Sequence, residues 1–171
     1  MIRWEGGRDE GTLTATGKDY QPGGRVVDGT VTAEVVEKTS LKGKLGEADF
    51  TATYDSLYDN VATLDPLVTG PWLLADNAGT LSLVNVAADG KVTGAAQGVA
   101  GGECPLTGEV VPEPGKNYYK LEITFADSAE CQLPNQTVEG VAIHQQGIMI
   151  AGLLSNDQSR GLFALGTQDF R

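Results

Sequence analysis

Acid–base chemistry near neutral pH most often uses histidine, and this chain has one, His144, in the segment GVAIHQQG. Its place beside a Gln-Gln-Gly turn predicts a solvent-facing side chain, with Val141 and Ile143 on the other face of the strand. Carboxylate pairs can replace histidine as acid and base, and Asp9-Glu10 and Asp127/Glu130 are the candidates. Nothing around them predicts a raised pKa, so they read as solvated faces. Asp55, Asp59 and Asn60 offer oxygens for calcium but miss the D-x-[DN]-x-[DN]-G spacing. The sequence has no G-x-S-x-G elbow and no H-E-x-x-H, and the glycines of GVAGG (98–102) lack a following lysine or helix. The expectation is a protein with no catalytic residues, no metal and no cofactor.

Cys104 and Cys131 are the only cysteines. An even count in an acidic, Gly- and Thr-rich β-type sequence predicts one disulfide, formed outside the cytosol. Two separate buried thiols are the alternative, and a metal pair would have only His144 to join it. Among the aromatics, Trp72, Tyr118 and Tyr119 form a candidate binding surface, with Phe125 nearby in sequence. Tyr118 and Tyr119 are consecutive and so point to opposite faces of a strand, leaving one of them outside the core.

The elements that must position these residues are strands. Runs of β-branched residues and threonine, bounded by Gly, Asp-Gly or Pro, predict strands near 11–16, 29–37, 41–45 and 48–54. A second series follows near 71–75, 79–86, 91–97, 104–111, 117–125, 137–144, 147–153 and 161–167. LEITF (121–125) alternates cleanly, placing Leu121, Ile123 and Phe125 on one face. Between the two series, Leu57, Val61 and Leu64 fall at helical spacing, with Ser56 as N-cap and Pro66 beyond the end. That predicts a linking helix of about two to three turns. The chain reads as an N-terminal β unit (1–55), a helical connector (56–69) and a C-terminal antiparallel β-barrel-like domain (70–171). Eight strands joined by tight turns suffice to close a small barrel; a barrel-like sandwich is the alternative.

Two copies of a pattern run through the chain. Trp4 precedes Gly11-Thr12-Leu13 by seven residues, as Trp72 precedes Gly79-Thr80-Leu81; Asp28-Gly29 then answers Asp89-Gly90. Shared order predicts a duplication with the Asp-Gly turns at equivalent places. The loop-like KDYQPGG (18–24) accounts for the longer spacing in the first copy.

The chain has 171 residues and 12 Lys+Arg against 23 Asp+Glu, a formal charge of −11. That balance excludes phosphate-driven nucleic-acid binding and electrostatic attachment to an anionic membrane.

The segments TATYDSLYDNVATLDPLVTGPW, DGKVTGAAQG, GGECPLTGEVVPEPGKNYYKLEITFADSAEC, GVAIHQQG and RGLFAL together resemble a group of uncharacterised Gram-negative bacterial lipoproteins. The matching positions are Trp72, Asp89, Gly90, Cys104, Gly108, Gly115, Asn117, Tyr118, Cys131 and Phe163, over roughly residues 50–166. The resemblance implies export and a lipid anchor in the periplasm, outer membrane or cell surface. MIRWEGGRDEG holds neither an apolar leader nor a lipobox cysteine, so both belong to a removed leader on this reading. The expected function is a non-enzymatic envelope lipoprotein that binds or scaffolds a protein or glycan of the cell envelope, touching the membrane only through its anchor. A lipocalin-like carrier using the barrel interior and a secreted enzyme inhibitor are the alternatives.

Overall fold

The computed structural model describes residues 2–9, 11–20 and 26–168, with 2–9 and Tyr20 described by backbone alone. The chain divides into two compact units, 1–60 and 61–171. Both are β-structures, and the all-β expectation holds.

The first unit is a five-stranded antiparallel meander of β1 (Ile2–Asp9), β2 (Thr12–Tyr20), β3 (Val26–Val36), β4 (Ser40–Leu45) and β5 (Ala48–Thr53). Alternation sorts its faces. Leu13, Ala15, Val31, Ala33, Val35, Leu41 and Leu45 are buried or half-buried on one face. Exposed Thr14 pairs with Thr32, and Thr16 with Thr30, on the other.

The second unit is a closed antiparallel barrel of eight strands. They are β6 (Trp72–Asp76), β7 (Leu81–Val86), β8 (Lys91–Gln97), β9 (Glu103–Pro112), β10 (Tyr119–Phe125), β11 (Thr137–Gln145), β12 (Ile148–Ser155) and β13 (Gly161–Thr167). Each strand pairs with the next, and β13 closes on β6 through Ala164↔Asp76 to Thr167↔Leu73. Small residues make so tight a curve possible. Gly94, Gly108, Gly140 and Gly166 each lie where a Cβ would strike the carbonyl of a neighbouring strand, at Leu83, Glu122, Gly152 and Leu73 respectively.

Three expectations are corrected. The connector is a single 3-10 turn, Ser56–Asp59, capped by the Asp55 carboxylate accepting from the Leu57 N–H, and not by Ser56. Leu57, Val61 and Leu64 do not form one helical face, and Val61 is exposed. The segment that follows instead closes one end of the barrel: Ala62 and Leu67 are buried in the core. The duplication also fails at its second landmark. Gly11 and Gly79 both take a positive φ in hairpin turns, but Asp28-Gly29 lies inside β3, with Gly29 paired to Gly17. Asp89-Gly90 alone forms a turn, with Gly90 at φ 83°. The side chain of Trp4 lies outside the described residues. Finally, β1 is an addition to the expected strands, because IRWEGGRD carries two adjacent glycines and four charges and lacks apolar alternation.

Candidate functional site

The barrel offers three surfaces: a closed end, an interior with one open mouth, and an outer wall. Its closed end is built around Trp72, which is fully buried at the start of β6. Its indole N–H donates to the Leu67 carbonyl at 3.0 Å, and Leu67 is itself 0% exposed. The Gln168 amide also donates to the Leu67 and Gly70 carbonyls, and the Tyr119 hydroxyl to the Thr63 carbonyl at 2.8 Å. Trp72 and Tyr119 are therefore core residues satisfied by backbone carbonyls. They cannot form an exposed binding surface with Tyr118, which is half-buried. The alternation argument holds in one respect, since Tyr119 is the member of the pair that is in the core.

His144 is not the solvent-facing turn residue the sequence suggests. It shares the inward face of β11 with Val138 and Ala142, and its ring meets Trp72 edge-on, with centroids 5.6 Å apart and planes at 82°. Burial pushes its pKa below the usual 6.5. The folded state thus holds the neutral ring, while the unfolded chain takes up a proton as pH falls through about 6.5. The sign is fixed: stability is full above the unfolded pKa and is lost as pH falls toward the folded one. Thermal melts from about pH 7.5 down to about pH 5 should show a larger fall for the wild type than for His144→Gln.

The acidic candidates do not converge. Asp59 takes the Lys38 ammonium at 2.9 Å and the Tyr54 hydroxyl, Asp55 caps the 3-10 turn, and the Asn60 N–H donates to the Leu57 carbonyl. Glu10 and the side chain of Asp9 lie outside the described residues, and the Asp9-Glu10 pair with them. Glu130 is committed to structure. Its Oε2 accepts from the Ala100 and Gly102 N–H groups, both at 3.1 Å, and latches the 98–102 loop. Asp127 is exposed. Among the described residues no group of three or more His, Cys, Asp and Glu side chains is placed to hold a metal ion. Cys104 and Cys131 are joined by a disulfide, which ties the 126–136 loop to the start of β9.

The interior holds a cavity of about 110 Å³. Aliphatic side chains from all eight strands line it, Val84, Leu106, Ile123, Ala142, Met149 and Leu162 among them. Asp76, Thr80, Ser82, Gln97 and Gln132 stand at the mouth.

On the outer wall, Val141 and Ile143, expected on the face opposite a solvent-facing His144, are themselves the exposed side chains. Ile143, Ile150, Leu165, Ala75 and Leu81 form one cross-strand row over β11, β12, β13, β6 and β7. Ile148, Thr167, Leu73 and Leu83 form the next, and Val141 and Phe163 flank Gly152. The large aliphatic and aromatic members, Ile150 aside, are between 38% and 50% exposed. The rest of the wall is mainly polar, carrying Lys91, Glu109, Lys120, Glu122 and Glu139 with Thr93 and Thr107, and Val111 as its one exposed large hydrophobic side chain. This wall has a sequence signal: LSLVNV and GLFALGT carry apolar residues at both parities, the mark of a strand with two apolar faces. No protein-family model, curated protein or solved structure matches the chain.

Proposed function

We propose that the chain is a non-enzymatic cell-envelope binding protein that docks a protein partner on the aliphatic wall of its barrel. The wall carries the reading. Contiguous exposed apolar surface of this extent marks interaction sites in water-soluble proteins. Branched aliphatics dominate it, with Phe163 the one aromatic among its exposed large side chains. Such a surface complements the apolar face of a protein better than a glycan, whose hydroxyls need polar partners. A lipid-encircled barrel does not fit, because six of its eight strands have five to eight residues, short of the about 9–11 that a tilted strand needs to cross a bilayer. The disulfide supports an oxidising compartment, and the resemblance to envelope lipoproteins agrees with that address.

The test is photo-cross-linking in the native cell with a benzophenone amino acid placed at Leu83, Leu165, Thr107 or Glu122. Adducts with a second protein are expected from the first two positions and not from the last two, in the envelope fraction. Equal adducts from both halves, none at all, or adducts only of twice the chain's mass would overturn the assignment.

A further inference from the structure

The barrel interior is a second and separate surface, and its two ends differ. One end is closed by Leu67, Trp72 and the hydrogen bonds that hold them. At the other, the polar lining residues gather around the β6–β7 turn, and the Gln132 amide donates to the Thr80 hydroxyl at 3.0 Å. A ligand entering there meets polar groups first and a closed apolar chamber behind them. The chamber's volume bounds what fits. An apolar cavity of about 150 Å³ takes benzene or xenon, whereas sites for drug-sized ligands run to about 300–1,000 Å³. At about 110 Å³, the cavity admits a single ring or a short alkyl group.

Charge at the mouth selects further. The strand ends and loops surrounding it carry Asp76, Glu103, Asp127, Glu130 and Asp157 against one cation, Arg160. Asp157 is held at about 2 by hydrogen bonds from the Ser155 hydroxyl and from the Ser159 N–H and hydroxyl. Asp76 lines the cavity itself, and its Oδ1 accepts from the Ala78 and Thr80 N–H groups, both at 2.8 Å, which fixes the carboxylate in place. A fixed anionic rim around a low-dielectric chamber concentrates cations and repels carboxylates.

We propose that the barrel interior is a binding site for a small apolar molecule of about benzene's size, and that its acidic mouth selects a ligand bearing a positive charge, an aryl- or short alkyl-ammonium. The apolar part occupies the chamber, and the ammonium stays at the mouth beside Asp76. This goes beyond the docking wall and is independent of it, since the lining residues point inward and the wall residues outward.

Benzylammonium, benzyl alcohol and benzoate are the probes, titrated into the whole chain while side-chain methyl resonances are followed by NMR. Shifts are expected at Met149, Ile123 and Leu106, with benzoate binding roughly tenfold or more weakly than benzylammonium. Asp76→Asn keeps the acceptor for the turn and removes the charge, so benzylammonium should then bind no better than benzyl alcohol. Ala151→Leu, and the smaller Ala96→Val should the first not fold, fill the chamber and should abolish binding of all three probes. Absence of lining-methyl shifts at millimolar probe, or binding that survives a folded cavity-filling variant, would overturn the site. Equal affinity for benzoate and benzylammonium would overturn the selection by charge. Cross-linking at Leu83 should be unchanged in the cavity-filled variant, so failure of one reading leaves the other standing.

Discussion

Replacing Trp72 by alanine should destabilise the barrel by about 3–5 kcal/mol, the range for emptying a large buried aromatic site. For a unit of this size that is a fall in melting temperature of more than about 12 °C. The side chain is fully buried, its N–H is satisfied by Leu67, and its ring is the surface His144 packs against. Alanine removes all three contacts and opens the closed end of the barrel. The Leu67 carbonyl keeps the Gln168 amide as a donor, at 3.3 Å, so the backbone around 67 should not be left wholly unsatisfied. Trp72→Phe separates volume from hydrogen bonding: it retains most of the ring and loses the donor, for an expected cost nearer to about 1–2 kcal/mol. Calorimetry of both variants checks the ranking. A loss below about 1 kcal/mol for the alanine variant would mean that the closed end is held by the 61–71 segment without Trp72.

How these contacts arise explains what could be read in advance. Strand existence was legible wherever alternation was local, as at LEITF in β10, and the count of eight strands after the connector limited the barrel to a few architectures. The misreadings have non-local causes. Asp28-Gly29 has the vocabulary of a turn, but pairing of Gly29 with Gly17 keeps β3 running through it. Leu57, Val61 and Leu64 have helical spacing, yet a helix needs an apolar surface to bury its face, and here Leu67 fills the barrel end instead. On β11 the alternation Val141-Ala142-Ile143-His144 was visible and its polarity was inverted. The tight interior selects Ala142, while the branched residues Val141 and Ile143 stand outside, 50% and 41% exposed. The rule that apolar means inward fails on a wall with two apolar faces. The residues that mislead it are those proposed to meet the partner.

Removing the disulfide with Cys104→Ala and Cys131→Ala together should destabilise the barrel by about 2–4 kcal/mol, in line with a bridge that closes a loop of this length. The effect should be local before it is global. Cys131 lies in the 126–136 segment, whose described backbone contacts to the rest of the barrel are few: Ala126 N–H to the Pro105 carbonyl, Phe125 N–H to the Gln136 carbonyl, and the Glu130 carbonyl accepting from Val99. Both cysteines are buried, so the two alanines also leave a small void beside Leu133 and the cavity lining. Amides of 98–102 and 126–136 should lose hydrogen-exchange protection first, while those around Leu67 and Trp72 at the closed end keep theirs. The Glu130 latch ties the 98–102 loop, and the bridge the adjoining start of β9, to the same 126–136 segment, so the two devices are coupled. Glu130→Ala should cost more in the cysteine-free protein than in the oxidised one, by roughly 0.5–3 kcal/mol in a double-mutant cycle. Additivity within about 0.3 kcal/mol would mean that bridge and latch act on separate motions.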